Sequence, residues 1–155
     1  MSRILTQFMV MRIYTIGFTG SSAEHFFERL KHAGVKKVID TRLWAGSQLA
    51  GFAKKKDLPY FVKELAGVDY EYHEDLAPTA DILKAYKDGR ISWDDYEVQY
   101  IDLINHRNLA NVLSPDEVNE ACFLCACKTE HNCHRRLLAE YLQREWDQPV
   151  EIVHL

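Results

Sequence analysis

Excess positive charge is missing from this chain of 155 residues: 23 acidic residues outnumber 19 basic ones, for a net charge of −4. A global attraction to nucleic acid is therefore excluded, and any anion site has to be built locally. Long apolar runs are missing too. The opening MSRILTQFMVMR holds an apolar segment too short and too interrupted for a signal sequence, and no later window reaches a membrane span. Proline (4) and glycine (7) are sparse, and there is no internal repeat or low-complexity tract. What remains is a cytoplasmic globular protein with no membrane partner, whose 47% hydrophobic content suffices for one core. Only four cysteines are present. In a reducing compartment they point to reactivity, metal binding or burial before they point to a disulfide framework. Met9 and Met11 leave the natural start open, so residues 1–11 are read as a loose extension of a single domain over residues 12–155.

The pattern that is present alternates. RIYTIG, ending at Gly17, reads as a buried strand, and Ser21 with Glu24 makes a capping box for a helix that carries Phe26, Phe27 and Leu30 and stops at Gly34. VKKVID is a second strand ending at Asp40. A long loop over Thr41 to Tyr60 follows, then a helix opened by Asp57 and Pro59 and closed by Gly67. VDYEYH is the third strand; Ala80 to Lys87 is a broken helical region, and Ser92 caps a longer helix with Trp93, Tyr96, Tyr100 and Leu103 on one stripe. Ser114-Pro115-Asp116-Glu117 starts another helix. ACFLC is the fourth strand, a helix after Cys133 carries Leu138, Tyr141, Leu142 and Glu145 on one side, and VEIVHL is the fifth strand. Such alternation predicts an α/β fold, a Rossmann-like three-layer sandwich around a mainly parallel sheet of about five strands.

Ligands of open parallel sheets gather outside the carboxyl ends of the strands. That rule collects Gly17 and Thr19 after the first strand, Asp40 and Arg42 after the second, His73 and Glu74 after the third, and Cys125 to Arg135 after the fourth. Each also has a plainer explanation. Gly17 to Ser22 can be an ordinary strand-to-helix turn, and it matches neither the dinucleotide nor the P-loop pattern. Asp40 and Arg42 fall on one side of an extended chain and can simply hold each other. Lys54-Lys55-Lys56, with Trp44, Phe52 and Tyr60 around it, is either a solvated loop or a basic and aromatic surface for a nucleic-acid strand. Tyr96 and Tyr100 read as core.

Three of the four cysteines, Cys125, Cys127 and Cys133, lie within nine positions, and His134-Arg135-Arg136 follows the last. A zinc site would require C-x-C and the adjacent Cys133-His134 to converge, a spacing unlike the usual separated pairs. Cys122 and Cys125 point to opposite faces of a strand, which argues against a redox pair and for a buried Cys122. Cys125 ends its strand at the rim, whereas Cys133 opens a helix, where the dipole and nearby cations lower a thiol's pKa and favour oxyanions.

TIGFTGSSAEHF, VIDTR, the GF and LPYF segments, VDYEYHEDLAP, and FLCAC followed by CHRRLLAEYL together resemble the bacterial and archaeal family known as domain of unknown function 488. Carried across, the family's pattern falls on Thr15-Ile16-Gly17, on Asp40 and Arg42, on Cys125, and on Cys133-His134-Arg135. Phe18 stands where the family often has histidine, and Cys127 where it often has glutamate. The resemblance implies a Rossmann-like fold with a shared rim site and names no reaction. A weaker likeness to rhodanese-type sulfurtransferases fails on spacing, and C-x5-R, required of a cysteine phosphatase, is absent.

The leading expectation is an enzyme acting on an anionic, phosphate-bearing substrate, a nucleotide or nucleic acid. Asp40, Cys125, Cys133 and His134 would do the chemistry; Gly17, Thr19, Arg42, Cys127 and Arg135 would hold the substrate. A non-catalytic binding module built on the same residues is the alternative. A metal centre of Cys125, Cys127 and Cys133 with His134 or Asp40 is the third reading, and no cofactor is otherwise expected. The sequence is silent on oligomeric state.

Overall fold

The computed structural model of the chain describes residues 10–46 and 51–155. Its strands are β1 (Met11–Gly17), β2 (Lys37–Asp40), β3 (Asp69–Tyr72), β4 (Ala121–Cys125) and β5 (Val150–His154). They form one sheet, parallel throughout, in the order β3-β2-β4-β1-β5. The helices are α1 (Ala23–Ala33), α2 (Leu58–Ala66), α3 (Ala80–Lys87), α4 (Trp93–His106), α5 (Leu109–Val112), α6 (Pro115–Val118) and α7 (His134–Glu145). The predicted α/β sandwich is therefore the fold. Among the described residues, no helix is long and apolar enough to cross a membrane. Residues 1–9 of the expected extension lie outside the described residues; β1 begins at Met11, which is buried.

Two apolar cores sandwich the sheet. Phe26, Phe27 and Leu30 of α1 and Leu58 and Val62 of α2 pack on one face, while Tyr96, Tyr100 and Ile104 of α4 and Leu137, Leu138 and Leu142 of α7 pack on the other. β4 shows the division residue by residue: Ala121 and Phe123 join the α4/α7 core, Cys122 and Leu124 the α1/α2 core. A strand buried on both sides in this way reads as the continuous apolar run ACFLC. Burying the side chains of Phe26 and Phe123 contributes about 1.5–3 kcal/mol apiece.

Local signals set the element ends, with some corrections. The N-cap of α1 is Ser22, whose hydroxyl accepts from the His25 N–H, and not Ser21. Ser21 instead closes the turn after β1, its N–H donated to the Phe18 carbonyl, and the first helical bond runs from the Phe26 N–H to the Ser22 carbonyl. Gly34 and Gly67 end α1 and α2 in the left-handed region, as expected. Ser92 and Asp95 complete a capping box on α4. Glu145, placed by its spacing on the apolar side of α7, is exposed, since the helix ends there. The short α5, after Asn108 in a left-handed conformation, carried no period long enough to be expected. Of the predicted 41–60 loop, residues 47–50 lie outside the described residues, and α2 begins at Leu58.

The topology singles out the end of β4. Its neighbours β1 and β2 are both followed by helices on one face of the sheet, α1 and α2, whereas β4 is followed by α7 on the other. The chain after β4 therefore parts from the chain after both neighbours, which opens the crevice where parallel sheets bind ligands. In register, Gly17 of β1 sits beside Cys125, and Asp40 of β2 beside Leu124.

Candidate functional site

Crossing the sheet edge after Cys125, the chain runs directly over the end of β1. A Cβ built on Gly17 would overlap the Cys127 carbonyl oxygen, so glycine is required there by close approach of the backbone. Arg135, on the first turn of α7 and 1% exposed, locks this crossing. Its Nη1 donates to the Cys127 carbonyl at 2.9 Å and approaches Cys133 Sγ at 3.6 Å, and its Nε donates to Thr15 Oγ1 at 3.3 Å. Thr19, exposed, contributes its backbone N–H to the Ala126 carbonyl at 3.1 Å. Of the residues expected to hold a substrate, Gly17, Thr19 and Arg135 thus have contacts that shape the cysteine loop.

The loop folds Cys125, Cys127, Cys133 and His134 together. Cys125 Sγ lies 3.9 Å from Cys127 Sγ and 3.6 Å from His134 Nδ1. Ligand atoms of Cys125, Cys133 and His134 all fall within 4.8 Å of one another. The adjacent pair Cys133-His134 converges because a helix begins between them. Cys133 is the extended N-cap of α7 and makes no side-chain capping bond; His134 is already helical. Cys122 stays in the opposite core, as the strand alternation required.

The tautomer of His134 follows from its partners. Its Nε2 is 2.9 Å from the Thr41 carbonyl, which can only accept, and 3.0 Å from Thr41 Oγ1, whose own proton is directed to the Leu124 carbonyl at 2.8 Å. Nε2 therefore carries hydrogen, and Nδ1 presents its lone pair to Cys125. Hydrogen bonds from Cys127 and Cys133 and the neighbouring His134 hold the Cys125 thiol well below its ordinary range, against the opposing effect of burial. The proton bonded between Cys125 and Cys127 pushes Cys127 up to about 12, while burial comes first in raising Cys133. For His134, burial opposes the charge, but the Cys125 thiolate outweighs it and raises the imidazole. The three thiols and His134 thus titrate as one group, in which Cys125 is the thiol favoured to lose its proton.

Above the thiols a cavity of about 190 Å³ runs from the surface to Cys125, Cys133 and His134. Trp44, Tyr86, Trp93 and Tyr96 line it together with Pro78, Leu83 and Lys87. Trp93 and Tyr96 stack at 4.9 Å, and Tyr86 meets Tyr96 at 5.2 Å. Lys84 and Lys87 place their Nζ atoms 5.9 and 5.7 Å from the Trp44 ring centroid. Sequence reasoning assigned Tyr96 to the core, where it does pack, but missed it and Trp93 as cavity lining. An aromatic stripe at helical spacing looks the same in both settings. Thr41 was missed as well; it sits between Asp40 and Arg42, and the alternation that paired those two sends it to the other face, toward His134.

Asp40 and Arg42 are brought together with each other and not with the thiols. The carboxylate accepts from Arg42 Nε at 2.8 Å and Nη2 at 2.6 Å, and from the Tyr70 hydroxyl at 2.6 Å. The guanidinium lies 5.2 Å over Phe18, in the α1/α2 core, and Arg42 also borders the cavity. Burial and the bond to Asp40 push the Tyr70 phenol upward. His73 and Glu74 line a separate polar cleft with Asp75 and Arg107. Phe52 packs on Phe18, Phe26 and Phe27, so it does not join Trp44 in a surface around the lysines; Lys55 lies 3.7 Å over Tyr72.

Comparison with known proteins adds a family and nothing more specific. No curated protein and no solved structure matches the chain. The family described as Domain of unknown function DUF488 matches residues 22–142, from the N-cap of α1 to the last turn of α7, and so spans β2, β3, β4 and the thiol cluster. The chain belongs to this family.

Proposed function

We propose that this protein is an enzyme whose reactive group is the Cys125 thiolate, acting on a small substrate with a planar ring and an anionic group, as a nucleotide presents. The observation that carries the reading is one geometry: a thiol 3.6 Å from an imidazole nitrogen, that imidazole held from behind at 2.9 Å by the Thr41 carbonyl, at the closed end of an aromatic cavity. Nucleophile, base and orienting group in that sequence are the parts of thiol catalysis. A cavity of roughly 150 Å³ accepts benzene, so 190 Å³ accommodates one ring between the walls of Tyr86, Trp93 and Tyr96. Lys87, exposed at the cavity, supplies the cation for an anionic group. Arg135 is less suited to that task than its position in the sequence implied, because its Nη1 and Nε bond Cys127 and Thr15, whereas Arg42, at the cavity border, gives Nε and Nη2 to Asp40 and keeps a buried Nη1 without a partner.

In the proposed step His134 Nδ1 takes the Cys125 proton and Sγ bonds to an electrophilic carbon of the substrate. The leaving group departs with the electron pair of the broken bond and receives the proton from His134. Water or a second acceptor then displaces the thiol and completes a hydrolysis or transfer. The test is to screen nucleotides and other ring-bearing phosphates by thermal shift and then follow turnover and covalent mass increments. A substrate whose turnover survives Cys125→Ser would remove the thiol from the mechanism. Saturable binding at the cavity with no product from any ligand would favour the binding-module alternative.

A further inference from the structure

We propose that Cys125, Cys127, Cys133 and His134 bind one zinc ion with tetrahedral geometry. Zinc–sulfur bonds of about 2.3 Å and a zinc–nitrogen bond of about 2.0–2.1 Å, at tetrahedral angles, place two sulfurs about 3.8 Å apart and sulfur and nitrogen about 3.6 Å apart. The chain holds Cys125 and Cys127 sulfurs at 3.9 Å and Cys125 sulfur and His134 Nδ1 at 3.6 Å. Cys125, Cys133 and His134 form a group whose donor atoms lie within 4.8 Å of one another, and the half-buried Cys127 joins it as the fourth ligand through its contact with Cys125. Two independent edges of the tetrahedron are thus at the required length before any ion enters.

The surroundings fit a metal in three further respects. Cys125, Cys133 and His134 are 6%, 1% and 5% exposed, and a dry, preorganised set of soft donors selects zinc over magnesium or calcium. His134 donates its Nε2 proton to the Thr41 carbonyl, the outer bond that ligating histidines make to fix ring and tautomer. Arg135, 3.6 Å from Cys133 Sγ, and the N-terminus of the 12-residue α7 offset the net negative charge of three thiolates and one dication. The adjacency of Cys133 and His134, which made a metal unattractive in the sequence, is resolved by the change from extended to helical backbone between them.

This inference does not rest on the enzymatic reading. A bound ion takes up the Cys125 sulfur, so zinc and thiol-directed reagents compete for the same atom, and metal loading silences a free-thiol reaction. The experiment is a Co²⁺ titration of the reduced, chelator-treated full chain, with elemental analysis of protein purified without added metal. One equivalent of Co²⁺ should give the intense visible bands of a tetrahedral ion and a sulfur-to-cobalt charge-transfer band, and Zn²⁺ should abolish both. Cys122→Ser should bind identically. Cys127→Ser should lose a fraction of the charge-transfer intensity and weaken binding by about 10-fold or more. Where Cys125→Ser or Cys133→Ser proves too unstable to purify, protection replaces it: Zn²⁺ should slow alkylation of Cys125 and Cys133 in the wild-type chain at least 10-fold. Octahedral spectra, absence of bands at one equivalent, or alkylation indifferent to Zn²⁺ would each overturn the proposal. None of these readouts requires turnover, so the proposal and the enzymatic reading fail separately.

Discussion

Gly17→Ala probes the contact on which the thiol loop rests. The added Cβ would overlap the Cys127 carbonyl oxygen and come within 2.8 Å of Arg135 Nη1, and neither can retreat cheaply: one is backbone, the other is 1% exposed. Lifting the loop costs about 1–3 kcal/mol for overpacking a filled interior. Losing the charged bond from Arg135 to Cys127 costs about 1.5–3 kcal/mol more. The expected destabilisation is therefore about 2.5–6 kcal/mol, out of a total of about 5–15 for a domain of this kind. In thermal unfolding that is a fall in Tm of about 5–24 °C, followed by circular dichroism. Gly34→Ala supplies the contrast. A Cβ there meets nothing within 4 Å, and only the positive φ of 74° is at stake, for about 1–2 kcal/mol. A Gly17→Ala variant losing less than about 1 kcal/mol, or no more than Gly34→Ala, would refute the claim that close backbone approach shapes the site.

Asp40→Ala should destabilise the chain by about 3–5 kcal/mol in urea, because it leaves the Arg42 guanidinium, only 3% exposed, without its carboxylate; a loss under 1 kcal/mol would show that the pair is dispensable. On a substrate found by the screen, His134→Ala should lower turnover about 10²- to 10⁴-fold with folding checked by circular dichroism, and an unchanged rate would exclude a general base at that position. Lys87→Ala should weaken binding of the same anionic ligand, in a salt-dependent manner, while leaving an uncharged ring analogue unaffected; equal loss for both would place the anion elsewhere. Burial holds the His154 imidazole below its ordinary 6.5, so the folded chain resists a proton that the unfolded chain accepts. That stabilisation is complete above about pH 6.5 and is lost as pH falls through the folded value, so His154→Gln should make the acid-side decline in Tm shallower; an identical decline would contradict it.

Much of the scaffold was legible because its signals are local. Gly34 and Gly67 end helices by allowing a positive φ, Ser92 caps α4, and the apolar runs of β1 and β4 are those of strands covered on both faces. Strand alternation also predicted that Cys122 and Cys125 face opposite cores. The start of α1 was misjudged by one residue because two serines compete for the cap and the first closes the turn from Phe18 to Ser21.

The site was legible as a list of residues and not as an arrangement. From the sequence, the residues after each strand were a single rim. The structure divides them, because the strand after which the helix changes face is β4, and strand order is set by long-range pairing that no local pattern records. Asp40 looked like a catalytic group and Arg42 like an anion ligand; they bond each other, and the further bond from Tyr70 depends on β2 and β3 lying side by side. Tyr96 and Trp93 looked like core because an apolar stripe declares burial without saying whether protein or ligand will cover it. The sequence alone determined the element types, the parallel sheet and the clustering of thiols beside a helix start. Only the tertiary structure decided that Cys125, Cys133 and His134 bring their donor atoms within 4.8 Å of one another, because that convergence depends on Gly17 yielding space to the Cys127 carbonyl and on Arg135 holding it there.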